Sequence, residues 1–108
     1  MSKNLTMTVL LDFYGELLTE KQRVALKSYY DEDCSLSEIA EEMNISRQGA
    51  RDFIKRGEAQ LSEFEEKLGL AKRFVKINQL TDLIDEVIEN NDVPSVLRKY
   101  VDEIKENL

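Results

Sequence analysis

The chain has 108 residues, with 22 acidic and 15 basic side chains and a net charge of −7, which fits one modest domain. It has no histidine, the commonest general base and metal ligand, and no glycine-rich phosphate loop, so we predict no catalytic site, no metal and no cofactor. One cysteine allows no intramolecular disulfide, and no apolar run approaches the ~20 residues of a membrane span, so we expect a cytoplasmic protein.

The first half of the sequence opens with two amphipathic patterns. Apolar residues recur at spacings of three and four over residues 5–17, which predicts a first helix. Thr19 can cap a second helix, and Gln22 three positions later completes a capping-box pattern. This second helix is predicted to end near Tyr30, before the acidic loop "DEDC". One proline and four glycines in the whole chain also favour an all-α fold.

Residues 35–56 have the pattern of a helix-turn-helix. Ser35 and Glu38 form a capping box for a short third helix, and Asn44 accepts the left-handed backbone that the turn requires. Ser46 then caps a fourth helix. The side chains predicted to pack inward between the two helices are Ile39, Met43, Ile45, Ala50 and Phe53.

The fourth helix carries the candidate site for nucleic acid. The side chains that we predict to bind DNA are Ser46, Arg47, Gln48, Arg51, Lys55 and Arg56. The charge is segregated, with −6 over residues 31–45 and +2 over residues 46–60. Because charges are screened over a Debye length of about 8 Å, a local basic patch can act within an acidic chain. The alternative is that these cations form an ordinary solvated helix face.

The remaining sequence predicts two more helices. The fourth helix continues to about Leu68, where Gly69 ends it, and an apolar stripe predicts a fifth over residues 71–89. A last helix follows Asp92, with Pro94 in its first turn. The side chains predicted to form its buried face are Val96, Leu97, Tyr100, Val101, Ile104 and Leu108. These two helices either pack on the helix-turn-helix or pair with a second copy in a homodimer.

These elements predict a single all-helical domain over residues 1–108. The helix-turn-helix portion covers residues 19–68, and residues 69–108 form a C-terminal helical extension.

Two resemblances follow from particular stretches. The segment "LTEKQRVALKSYYDEDCSLSEIAEEMNISRQGARDFIKRGEAQL" resembles the fourth region of bacterial sigma factors, which implies that Arg47, Gln48 and Arg51 face DNA. The chain departs from that region at Gln48, where sigma factors usually carry glutamate, and at Gly49, where they carry a bulkier residue. Over its whole length the chain is similar to the YlxM family of small bacterial helix-turn-helix proteins, on "LLDFYGELLTEKQ", "SYYDEDCSLSEIAEE" and "EEKLGL".

The YlxM resemblance implies an all-helical regulatory protein tied to the signal recognition particle pathway. Two functions are consistent with it. The first is a DNA-binding regulator that uses the fourth helix. The second is an adaptor that docks on the signal recognition particle, through its GTPase or its RNA, with the helix-turn-helix as a scaffold.

Overall fold

The computed structural model describes residues 5–108, and every regular element in that range is helical, which confirms the predicted all-α fold. The α-helices are α1 (Leu5–Tyr14), α2 (Glu20–Tyr30), α3 (Leu36–Met43), α4 (Arg47–Leu68), α5 (Leu70–Asn90) and α6 (Ser95–Glu106). None of the helices in the described range is both long enough and apolar enough to cross a bilayer. Packing contacts divide the chain into two compact units, Met1–Gly69 and Leu70–Leu108. The single domain over the whole chain therefore stays a prediction.

Two of the predicted features near the start of unit 1 need correction. Helix α1 ends three residues early, because a 3-10 turn replaces its last turn at Gly15–Leu17, where glycine is a poor helix former. Thr19 caps α2 as predicted, with its Oγ1 accepting the N–H of Gln22 at 3.3 Å. The reciprocal half of the capping box does not form, since Gln22 Oε1 is buried without a hydrogen-bond partner among residues 5–108.

Helix α4 is the central element of unit 1, since α1, α2 and α3 all pack against it. The largest fully buried side chains of this unit come from all four helices. They are Leu11, Tyr14, Leu26, Ile39 and Leu61. Burial of each of the aliphatic side chains among them stabilises the fold by about 1.5–3 kcal/mol. The orientation of α4 is therefore fixed by packing along most of its length.

Two tyrosines connect other helices to α4 through hydrogen bonds that the sequence pattern did not reveal. The Tyr14 hydroxyl of α1 donates to Glu65 Oε1 at 2.6 Å, and the Tyr30 hydroxyl of α2 donates to Glu58 Oε2. Burial and the hydrogen bond to Glu58 raise the pKa of Tyr30 above its ordinary value. Both bonds join α4 to its neighbours at the border of its buried face, since Glu58 and Glu65 are half-buried.

Unit 2 is a hairpin of α5 and α6. Thr81 and Val101 are buried between the two helices, and Asp85 of α5 forms ion pairs with Arg98, at 2.6 Å, and with Lys105 of α6. The side of α6 that faces α5 is therefore the one that carries Arg98, Val101 and Lys105, which follow each other at helical spacing.

The predicted buried face of α6 is wrong for five of its six residues. Val101 alone is buried, at 5% exposure, while the other five are 41–55% exposed. Four of the five lie on a different side of the helix, and Leu108 lies beyond its end. Pro94 is also one position outside its predicted place: it is the N-cap residue, and the helix begins at Ser95.

Candidate nucleic-acid interface

The turn between α3 and α4 has the geometry that its residue types predicted. The capping box is complete at the start of α3, with Ser35 Oγ accepting the Glu38 N–H at 3.1 Å and Glu38 Oε1 accepting the Ser35 N–H at 3.0 Å. Asn44 ends α3 in the left-handed region, at φ 57° and ψ 47°. The N–H of Ile45 then donates to the Ala40 carbonyl at 2.9 Å, which closes the turn within three residues.

The two helices of the motif cross through small and branched side chains. Ile39 and Ala40 of α3 and Ala50 and Ile54 of α4 are buried at this crossing. Of the residues predicted to face inward, Met43 and Phe53 are half-buried. Ile45 is 39% exposed, so its inward prediction is wrong: the tight turn leaves it at the rim of the motif.

Unit 1 has an open groove between α2, α3 and α4. Its apolar lining includes Val24, Met43, Ile45 and Phe53, with charged side chains at its edge. This groove lies on a different part of the unit from the outward face of α4.

A close contact between α4 and α2 explains one of the two glycines inside α4. A Cβ atom built at Gly57 would lie 2.5 Å from Leu26 Cδ1, whereas ordinary carbon contacts are about 3.5–4.0 Å. Gly57 therefore lets α4 lie directly on α2. At Gly49 the nearest atom to a Cβ is the Ser46 Oγ at 3.1 Å, which belongs to the cap of the same helix.

The structure places all the predicted DNA-binding residues on the surface. Their side chains follow one another along the first two and a half turns of α4 and its cap. The exposed residues are Ser46, Arg47, Gln48, Arg51, Lys55 and Arg56. Ser46 also has a structural role, because its Oγ accepts the Gly49 N–H at 2.9 Å and so caps the helix.

The four cations of this group differ from its polar members in their side-chain partners. Among residues 5–108, no carboxylate forms an ion pair with Arg47, Arg51, Lys55 or Arg56. The amide of Gln48, by contrast, donates to Asp52 Oδ1 at 3.0 Å, so Asp52 is engaged with an uncharged neighbour.

The helix backbone adds to the positive potential. The first turn of α4 has no acidic residue, and the helix has 22 residues, so the positive end of its dipole lies beside Arg47. Glu58 is the other carboxylate of this part of α4, and it accepts the Tyr30 hydroxyl instead of pairing with a cation. We name the surface formed by Arg47, Arg51 and Lys55 the basic face. Arg56 lies about 140° around the helix from Arg51. It lines a shallow depression with Thr19 and Gln22 instead.

The surroundings of the motif are acidic. The loop before α3 exposes Asp31, Glu32 and Asp33, and α3 exposes Glu41 and Glu42. In helix-turn-helix complexes the first helix crosses the DNA backbone, where carboxylates are repelled by phosphates. The arrangement therefore favours an approach of nucleic acid to α4 over an approach to α3.

The crossed pair α3 and α4, the left-handed turn and the exposed second helix define a helix-turn-helix protein. The family model described as "Putative helix-turn-helix protein, YlxM / p13 like" matches residues 1–104. The chain belongs to this family.

Several curated relatives have the family name UPF0122 protein. One from Thermoanaerobacter sp. is 48% identical over 103 residues, which cover 93% of this chain and 88% of the relative. One from Halalkalibacterium halodurans is 48% identical over 89 residues, 82% of each chain. One from Clostridium perfringens is 40% identical over 109 residues, which cover all of this chain and 97% of the relative.

Proposed function

We propose that this protein binds DNA through the basic face of α4 and acts as a regulator. The observation that carries the proposal is the exposure of four cations on the second helix of a helix-turn-helix, without a carboxylate partner within residues 5–108. The family membership supports the same class of function.

The dimensions of the basic face are compatible with the major groove. Arg47, Arg51 and Lys55 are each four residues apart, so they span about 12 Å of helix at 1.5 Å per residue. An α-helix with its side chains is about 10–12 Å across, which the major groove, about 12 Å wide, admits. Arg47 and Arg51 lie nearest the N-terminus of α4, which is the part of a recognition helix that contacts base edges.

The net charge of −7 sets the expected strength of binding. Neutralised phosphates supply most non-specific affinity, and each lowers the slope of log K against log salt by about 0.9. With four cations available, the slope is expected to be no steeper than about −4 for one chain. Binding should therefore be clear at 50 mM salt and weak at physiological salt.

The experiment that tests the proposal compares two charge-matched double variants. Arg47→Ala with Arg51→Ala and Lys21→Ala with Lys27→Ala each remove two exposed cations, so both take the net charge from −7 to −9. The duplex is the DNA upstream of the operon that encodes this chain, and binding is measured from 25 to 200 mM salt. The arginine variant is expected to lose about 2 from the salt slope and most of its affinity, while the lysine variant keeps its slope. Equal losses in both variants would contradict the proposal.

A second function is favoured by a different surface. Glu20 and Glu42 line the apolar groove of unit 1 together with Lys21. Exposed carboxylates at Asp31, Glu32 and Glu41 add negative charge to the same unit, an arrangement that suits a basic protein partner. In this alternative the protein is an adaptor that docks on the GTPase of the signal recognition particle, as the YlxM resemblance implies.

Reversing the charge of two exposed carboxylates of α3 distinguishes the two functions. Glu41→Lys with Glu42→Lys is expected to abolish binding of the purified GTPase under the adaptor function and to strengthen binding of duplex DNA under the regulator function. Particle RNA, included as a third ligand, shows whether the basic face prefers RNA. Two results together would favour the adaptor function over the regulator function. The unmodified protein would not bind DNA, and saturable GTPase binding would persist in the variant that lacks Arg47 and Arg51.

A further inference from the structure

Helix α5 carries two parallel stripes, and only one of them faces α6. The inward stripe includes Thr81 and the half-buried Asp85, which contacts α6 through Arg98 and Lys105. The second stripe is entirely apolar and solvent-exposed. It is formed by Ile77, Leu80, Ile84 and Val87.

The spacing of this second stripe is that of a helix-pairing seam. Its positions follow each other at three, four and three residues, the a and d positions of a heptad. Tyr100 and Ile104 of α6 lie beside Ile77 and extend the same face across the hairpin. We name these six residues of α5 and α6 the hairpin face.

The size of the hairpin face exceeds what a monomer usually exposes. Its six residues are 37–55% exposed, and Leu97 and Leu108 extend it at 43% and 41%. At roughly 200 Å² for a large residue, the set exposes about 700 Å², against about 300–600 Å² for the largest apolar patch of a typical monomer. A standard stable interface buries about 800 Å² per partner.

The charges along α5 identify the partner. Residues 72–76 hold three cations, and residues 82–89 hold four carboxylates, so the helix is basic in its first half and acidic in its second. Two copies that meet antiparallel would bring exposed Arg73 and Lys76 of one beside exposed Glu86 and Glu89 of the other. A parallel arrangement would bring like charges together.

We propose that the hairpin face binds the hairpin face of a second copy, with the two α5 helices antiparallel, to form a two-fold four-helix bundle. The crossing is centred near residue 82, which pairs Leu80 of each copy with Ile84 of the other. Charged side chains border the apolar seam and select the antiparallel orientation. The proposal is independent of whether the basic face binds DNA.

Analytical ultracentrifugation of the full chain tests the pairing. The protein is expected to sediment as a dimer of about 25 kDa, twice the 12.5 kDa chain, at low micromolar concentration. Leu80→Glu is expected to weaken self-association at least 100-fold, and Gln79→Glu, the same change in charge at the adjacent exposed position, to leave it unchanged. Leu80→Ala adds no charge, preserves helix propensity, and is expected to weaken association about tenfold. Far-UV circular dichroism checks that each variant is folded.

Two results would overturn the pairing. One is a wild-type chain that stays at 12.5 kDa up to 100 µM. The other is a dimer that Leu80→Glu leaves intact, which would place the interface elsewhere.

The orientation is tested with spin labels in a Cys34→Ser background, since Cys34 is the single native cysteine. Labels at Asp82→Cys lie near the centre of the proposed crossing, whereas labels at Asn90→Cys, a neutral exposed position, are eight residues away from it on each copy. At 1.5 Å per residue, an antiparallel pair separates the Asn90 labels by about 24 Å along the helix axis. A distance between Asn90 labels no longer than that between Asp82 labels would show that the helices are parallel and overturn the orientation.

Discussion

Replacing Gly57 with alanine adds one methyl group where α4 lies on α2. The added Cβ would be 2.5 Å from Leu26 Cδ1 and 3.2 Å from Leu26 Cγ. Leu26 is fully buried, at 0% exposure, so it has little room to move away. Rotation of its methyl groups alone would not relieve the contact, because Cγ does not move with them.

The expected effect on stability is the difference of two opposing terms. Overpacking a well-packed core costs about 1–3 kcal/mol. Alanine gains about 1 kcal/mol over glycine in a helix interior. Because two atoms of a fully buried side chain are too close, we expect the first term to prevail and the free energy of unfolding to fall by about 1 kcal/mol. This corresponds to roughly 5 °C in melting temperature for a domain of this size.

The assay is urea unfolding followed by far-UV circular dichroism, with Gly49→Ala as the matched control in the same helix. The three atoms nearest to a Cβ at Gly49 are the Ser46 Oγ, at 3.1 Å, and two Ile45 carbons, at 3.8 Å, so the closest contact is 0.6 Å longer than at Gly57. The control is therefore expected to be as stable as the wild type or up to about 1 kcal/mol more stable. If Gly57→Ala stabilises the protein as much as Gly49→Ala does, α4 is not held on α2 as described.

Three further predictions test the turn and the polar contacts. Asn44→Ala places a side chain without local hydrogen bonding in the left-handed region and should cost about 1 kcal/mol in urea unfolding, whereas Asn44→Gly should cost nothing. The pKa of Tyr30 is raised in the folded state, so the unfolded chain loses the Tyr30 proton at a lower pH than the folded chain does. The free energy of unfolding should therefore fall as pH rises above about 10, and Tyr30→Phe should make that fall shallower. The hydrogen bond from Lys105 lowers the pKa of Asp85, so stability should fall as pH drops below about 4, and Asp85→Asn should remove part of this dependence in an acid titration.

Local signals predicted most of the element boundaries. Thr19, Ser35 and Ser46 cap the helices that they were predicted to cap. Asn44 and Gly69 both end helices with a positive φ. Each of these outcomes depends on a side chain and the three or four residues beside it, so the sequence alone contains the necessary information.

These local signals did not predict contacts between residues that are far apart in the sequence. Tyr30 and Glu58 are 28 positions apart, and the sequence pattern gave Tyr30 no role beyond marking the end of the second helix. The face that α6 turns toward α5 was also mispredicted, because the contacts of Asp85 with Arg98 and Lys105 join residues 13 and 20 positions apart. An apolar stripe reveals that a face is suited to burial, but it does not reveal which partner covers it.

The role of the basic face is tested most directly by a map of the residues that respond to DNA. The ¹⁵N-labelled full chain is titrated with the operon-upstream duplex at 50 mM salt, and amide chemical shifts and line widths are followed. We expect the largest changes over residues 46–56, and their loss in the variant that lacks Arg47 and Arg51. Changes confined to residues 31–45 or to α5 and α6, with residues 46–56 unaffected, would contradict recognition of DNA by α4.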